Sequence, residues 1–160
     1  MPIFFICSSH NTFINTIIGD TLTSGLIPLY QKLRKESEAL ASALLFLTLG
    51  VSFFLGLVIG GVVFWGASLF VPLFVPGISD SANYLAVSFL RIMSLSIPLI
   101  IIGNTAAFIE AAHGRYKALS SRAALTNIGV IATGFTAMYF DAPILLAAGY
   151  VVVYFLFLFF

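Results

Sequence analysis

The chain has 160 residues, of which 61% are hydrophobic and only 8% are charged, with a formal net charge of +1. Soluble domains average roughly 25% charged residues, and a water-soluble core of this length could not bury so much apolar surface. The composition excludes an ordinary soluble domain and indicates an integral membrane protein. No basic tract suggests a nucleic-acid partner, and the single cysteine, Cys7, excludes an internal disulfide and a cysteine metal cluster.

Five long apolar stretches predict five transmembrane helices, because a helix needs roughly 20 mostly apolar residues to cross a bilayer core. The expected helices cover about 3–30, 39–75, 82–112, 118–140 and 143–160. The predicted fold class is therefore all-α, a polytopic membrane helix bundle in a single domain over residues 1–160. The most charged stretch, 31–38, is predicted as a loop between the first two helices.

The second helix is the longest of the five. A continuous helix over 39–75 would be about 55 Å long, against a hydrocarbon core of ~30 Å, so one end projects or the helix tilts or bends. Gly56 and Gly60 form a G-x-x-x-G pattern, which lets helix backbones approach closely. Pro72 and Pro76 mark the end of the helix.

Basic and non-basic breaks alternate between the helices, and the positive-inside rule then predicts the orientation. The cytoplasmic breaks carry Lys32, Arg34, Lys35, Arg115, Lys117 and Arg122. The breaks with Asp80 and Asp141 have no Lys or Arg and belong outside. This topology places the N-terminus outside and ends the chain within an apolar helix, so we expect the chain to be a fragment of a larger bundle.

Several motifs follow one another in a characteristic order. They are Leu26-Ile27-Pro28-Leu29-Tyr30, Phe74-Val75-Pro76-Gly77, Leu90-Arg91-Ile92-Met93 with Pro98, Ala111-Ala112-His113-Gly114-Arg115-Tyr116, and Asn127. They resemble the second helix, the aPGF turn, the opening of the fourth helix, the N-x-x-G-R-F turn and the fifth-helix asparagine of the MurJ/MviN lipid II flippases. That family belongs to the multidrug/oligosaccharidyl-lipid/polysaccharide exporter superfamily. The resemblance covers the second to the early sixth of about fourteen helices.

The chain also departs from the family pattern. Asn15 and Thr16 stand where family members usually carry basic residues, and Leu119 and Ala123 replace prolines of the fifth helix. The first helix and the second half of the transporter are absent from the resemblance, which puts activity of the isolated chain in question.

The resemblance implies a transporter of lipid II for peptidoglycan assembly in the bacterial inner membrane, working by alternating access. Its partners would be membrane lipids, a lipid-linked oligosaccharide that bears a pyrophosphate, and a coupling cation or the membrane potential. Because no bond need be broken, we expect no enzymatic activity and no cofactor. The sequence offers no convincing nucleophile, and neither His10 nor His113 has a spaced partner for a metal site.

Arg91 is the strongest candidate for a substrate contact. It lies about nine residues into its predicted helix, so about 12–14 Å along the axis. A buried arginine is costly and usually faces the bundle interior or a watery cavity, where it would contact pyrophosphate or an intramembrane carboxylate. The alternative is an arginine that snorkels to the outer interface.

Three further cavity candidates lie in the first predicted helix. Asn11 and Asn15 are four residues apart and share a helical face, where they would bind sugar hydroxyls or hold neighbouring helices together. Asp20 would bind a coupling cation, take up a proton or form a structural ion pair. At the cytoplasmic side, Arg115, Lys117 and Arg122 form a basic rim that fixes topology, meets anionic head groups and could capture an anionic substrate.

Other functions remain open on the sequence. The nearest is a Wzx-type flippase for another undecaprenyl-linked polysaccharide, and a more distant one is a cation-coupled multidrug exporter of the same superfamily. A different class is a non-transporting membrane partner subunit or a decaying truncated gene product. An intramembrane enzyme would need reactive groups that the sequence does not offer.

Overall fold

The computed structural model describes residues 25–77, 79–115 and 117–159, without the side chains of Ile27, Ala112, Ala118, Leu119, Arg122 and Ala123. These ranges contain six helices and no strand. The helices are α1 (Ile27–Glu36), α2 (Glu38–Phe74), α3 (Asp80–Ser94), α4 (Ser96–Ala112), α5 (Lys117–Tyr139) and α6 (Ile144–Phe157). The predicted all-α fold class is confirmed. Most of the first predicted helix lies outside the described residues.

The charged stretch that was predicted as a loop is helical, so that prediction is wrong. Helix α1 runs through it to Glu36, and only Ser37 is extended, with φ −160° and ψ 124°. The backbone N–H of Ser37 still bonds to the Leu33 carbonyl at 2.8 Å. Lys, Arg, Gln, Glu and Leu are good helix formers, and their charges need only solvent, which a helix surface supplies as well as a loop. Pro28 lies in the first turn, where its missing N–H costs nothing.

Two helical segments are long and apolar enough to cross a membrane. One is α2, and the other is α3 together with α4. They span Glu38–Phe74, with 37 residues, and Asp80–Ala111, with 32 residues. Two shorter apolar helices cover Ala124–Tyr139 and Ile144–Phe157. Along α2 the buried residues are mostly small, whereas Phe46 and Trp65 are 76% and 79% exposed. Such a surface is unfavourable in water and suits hydrocarbon.

The second long span is broken at Leu95, where the sequence predicted one continuous helix. Pro98 has no N–H, and its ring crowds the carbonyl four residues earlier, that of Ser94. The turn is stabilised by two buried hydroxyls, because Ser94 donates to the Arg91 carbonyl at 2.7 Å and Ser96 to the Met93 carbonyl at 2.6 Å. The regular helix is therefore interrupted at Leu95, which keeps helical dihedrals (φ −66°, ψ −21°), while the span as a whole continues.

Helix α2 packs closely on this break through its G-x-x-x-G pattern. A Cβ on Gly56 would lie 2.7 Å from Cα of Pro98, and one on Gly60 would lie 3.1 Å from the Ser94 carbonyl oxygen. Only glycine permits this approach of backbone to backbone. The pattern predicted from the sequence thus marks the contact between α2 and the α3–α4 junction.

The largest apolar cluster joins α3 and α4 to α6. Its buried members are Phe89, Met93, Ile100, Ala147, Tyr150 and Tyr154. The cluster covers one face of α3 and α2 packs beside it, while the face that carries Tyr84 and Arg91 stays exposed. The position of that open face determines where a functional site can lie.

Candidate functional site

The open face of α3 carries three polar or charged side chains in a row. Tyr84, Ser88 and Arg91 are spaced by four and three residues, so they lie on one side of the helix. Tyr84 is 78% exposed, Arg91 is exposed and Ser88 is partly exposed. We call these three residues the α3 stripe. The opposite side of α3, with Ala86, Phe89 and Met93, is buried.

Arg91 is held by an aromatic ring rather than by an acid. Its Cζ atom lies 5.9 Å from the centroid of the Phe64 ring of α2, which is within range of a cation–π interaction. It forms no ion pair with any residue in the described ranges. Helix α3 begins at Asp80, eleven residues before Arg91, so the Cα atom of Arg91 lies about 16 Å along the helix axis from that start. The structure thus places this cation on an open helix face, with its hydrogen-bond donors available.

The other predicted cavity residues are not brought together with Arg91 by the described structure. Asn11, Asn15 and Asp20 lie outside the described residues. In the basic rim, Arg115 and Lys117 are exposed, and the side chain of Arg122 is not described.

A buried tyrosine at the basic end of the bundle was not anticipated from the sequence. Tyr30 is 4% exposed, and its hydroxyl lies 2.6 Å from Nε2 of His113. The other ring nitrogen of His113, Nδ1, lies 2.9 Å from the Ile109 carbonyl. A carbonyl can only accept, so Nδ1–H donates to it and neutral Nε2 accepts the hydrogen bond from Tyr30. No local signal in the sequence points to this pair.

The Tyr30–His113 pair brings two basic segments to one end of the molecule. Helix α1 carries Arg34 and Lys35 in its last turn, and Arg115 and Lys117 follow the end of α4. These residues are all exposed. The Tyr30–His113 contact brings the two segments near each other. That both lie on one side of the membrane, and which side that is, stay predictions.

The family model for the lipid II flippase MurJ matches residues 3–160. The chain belongs to the MurJ family. The resemblance inferred from the turns and helix openings is thereby confirmed, and with it the association with membrane transport and peptidoglycan biosynthesis. No curated protein matches the chain. No solved structure matches it either.

Membership of the MurJ family gives the polar groups of the bundle a chemical context. A lipid II flippase moves a polar head group through the membrane while the lipid tail stays in hydrocarbon, so polar side chains on open helix faces are expected. The interior offers a contrast, because the buried Thr105 hydroxyl of α4 lies 3.0 Å from the Ser52 hydroxyl of α2. That interhelical bond stabilises packing, whereas Tyr84 and Arg91 of the α3 stripe are exposed.

Proposed function

We propose that this MurJ-family chain forms part of a flippase that translocates lipid II across the bacterial inner membrane by alternating access. The observation that carries the proposal is the family match over residues 3–160. It is supported by the two helices of 37 and 32 residues that are long and apolar enough to span a membrane. In this proposal the chain belongs to the first half of the transporter, with the N-terminus of the sequence outside.

The transport chemistry requires binding and release rather than a reaction. The head group of a lipid-linked oligosaccharide is large, hydroxylated and negatively charged at its pyrophosphate, so the protein must supply a wet and partly cationic cavity that opens alternately to either side. We assign Arg91 to the pyrophosphate, because a guanidinium presents donors in the planar geometry that phosphate oxygens accept. Asn11 and Asn15 are assigned to sugar hydroxyls.

In this proposal the basic rim captures the substrate. Arg115, Lys117 and Arg122, with Arg34 and Lys35 of α1 beside them, would attract the anionic head group at the cytoplasmic leaflet. Asp20 is the candidate for coupling, either by binding a cation or by taking up a proton. The membrane potential is the alternative source of free energy, since moving one charge through 100 mV is worth about 2.3 kcal/mol.

The test is transport by the chain in its natural reading frame. The protein is expressed in bacteria whose own lipid II flippase can be depleted, and externally exposed lipid II is measured after depletion. We expect exposed lipid II to be maintained. A cell that loses exposed lipid II while the protein is present in the membrane would contradict the proposal, and export of another undecaprenyl-linked saccharide or of a cationic drug would redirect it.

A further inference from the structure

The α3 stripe is a candidate binding surface that the family match does not assign. We propose that Tyr84, Ser88 and Arg91 form a water-lined track that binds the diphosphate head of a prenyl-linked saccharide. Arg91 lies at the end of this track that is farther from the start of α3. The inference rests on the proposed function for its ligand, and on the geometry of α3 for its position.

Helix α3 has two faces of different character. One face is sealed against α6, where Phe89 and Met93 are 8% and 2% exposed. The other presents a phenol, a hydroxyl and a guanidinium over about 10 Å of helix axis. Exposure of such groups to acyl chains is unfavourable, and a cation within a span almost always faces a cavity or a partner. The open face therefore favours water and polar ligands over lipid.

Helix α2, which lies beside α3, presents a more apolar exposed surface. At comparable distances from the turn that joins the two helices, Trp65 and Leu69 of α2 are 79% and 67% exposed, and Ser68 is the exposed polar residue between them. The stripe on α3 carries a charge and a phenol at the same height, whereas large apolar groups dominate on α2. A position in the outer head-group region would make both surfaces polar, so the difference indicates a lateral boundary between lipid and an aqueous space.

The polar groups of the α3 stripe retain donors and acceptors with which to bind a ligand. The hydroxyl of Ser88 donates to the Tyr84 carbonyl at 2.9 Å and keeps its acceptor lone pairs. The Tyr84 hydroxyl makes no hydrogen bond to a residue of the described ranges, and the guanidinium of Arg91 lies over the Phe64 ring without an ion pair to any described residue. The phenol and the guanidinium therefore present donors about two helical turns apart, which suits a ligand with several acceptor oxygens. The negative charge of a diphosphate complements Arg91.

The experiment measures water access and charge along the track. Cys7, the only cysteine, is replaced by serine, and Ser88→Cys or Leu69→Cys is introduced into the protein in inverted and right-side-out membrane vesicles. Leu69 is five residues from the end of α2, whereas Ser88 is eight residues from the beginning of α3, so Leu69 is the shallower site. We expect a membrane-impermeant methanethiosulfonate to label Ser88→Cys at least several-fold faster than Leu69→Cys. Equal labelling, or faster labelling at Leu69→Cys, would overturn the aqueous track.

The role of Arg91 is tested with reagents of opposite charge. An anionic methanethiosulfonate should react with Ser88→Cys roughly tenfold faster, relative to a cationic one, because a nearby cation concentrates anions in a cleft. Arg91→Gln should remove this preference and Arg91→Lys should retain it. A preference that survives in Arg91→Gln would refute the assignment of the charge to Arg91.

The ligand is tested by protection. A short-chain prenyl diphosphate should slow labelling of Ser88→Cys several-fold, and free pyrophosphate at the same concentration should do so less, since it lacks the tail. No protection by the prenyl diphosphate would overturn the ligand class. These readouts do not require transport, so a protein that is protected but does not flip lipid II contradicts the proposed function and leaves the track in place.

Discussion

The Tyr30 hydroxyl donates a hydrogen bond of 2.6 Å to Nε2 of His113, joining residues that are 83 positions apart. Their rings are also in contact, with centroids 5.1 Å apart. The bond joins the first turn of α1 to the residue that follows the end of α4, so it holds α1 against α4. It also couples the side-chain position of His113 to the Ile109 carbonyl, which the same ring contacts through Nδ1.

Removing the hydroxyl of Tyr30 should weaken this end of the bundle. Tyr30→Phe deletes one hydrogen bond and keeps the ring contact, so we expect a loss of about 1 kcal/mol in the free energy of unfolding. The measurement is reversible denaturation in detergent micelles. Tyr84→Phe is the matched control, because Tyr84 is 78% exposed and should lose little. Equal losses in the two variants would show that the Tyr30–His113 bond contributes nothing specific.

The contact of α2 with the α3–α4 junction should depend on Gly56. Gly56→Ala places a methyl group 2.7 Å from Cα of Pro98, and backbone cannot move aside as a flexible side chain can. We expect a loss of about 1–3 kcal/mol in the free energy of unfolding. Gly50→Ala on the same helix is the control, since nothing lies within 4 Å of its Cβ. A Gly56→Ala protein as stable as Gly50→Ala would mean that the two helices can separate without cost.

The predicted orientation can be tested at one position in the last turn of α1 and one position just before α3. In a Cys7→Ser background, Lys35→Cys should react with an impermeant thiol reagent only from the cytoplasmic side, and Ser79→Cys only from the outside. The physical reason is the retention of Lys and Arg in the cytoplasm during insertion. Labelling of both cysteines from the same side, in intact and inverted vesicles, would refute the topology.

Arg91 should matter for transport through both charge and shape. Arg91→Ala removes a charge-assisted contact to the pyrophosphate, so we expect lipid II translocation to fall about tenfold or more. Arg91→Lys keeps a point charge but loses the planar fork, and its loss should be smaller. Translocation is measured as externally accessible lipid II at equal protein levels in the membrane. Full activity in both variants would exclude Arg91 as a substrate contact.

The structure differs from the sequence-based prediction at helix α1 and at the break at Leu95. A charged stretch was taken for a loop because charge density signals solvent, but solvent also surrounds the outer face of a helix, and the residues between Gln31 and Glu36 favour helix. The effect of Pro98 was visible in the sequence, yet whether a proline bends or ends a helix depends on what covers the freed carbonyl. Here α2 covers it, through the approach that Gly60 permits.

The residues of the candidate site were also predicted only in part from the sequence. Arg91 could be singled out from the sequence because a lone cation in an apolar span is improbable without a role. Its neighbours on the α3 stripe could not, since neither Tyr84 nor Ser88 carries a charge that would single it out in an apolar span. Only the packing of α3 on α2 and α6 shows which face stays exposed, and therefore that Tyr84 and Ser88 share it with Arg91.

The sequence by itself determined the solvent, the helical class and the family of this protein. Those properties follow from local quantities, namely the length of apolar stretches, the rarity of charge and short motifs in fixed order. The tertiary structure alone decided which helix faces meet, that Tyr30 reaches His113, and that the α3 stripe is left open. These depend on contacts between residues far apart in the chain, where packing of glycine, proline and aromatic side chains selects one arrangement among many that the same apolar pattern would allow.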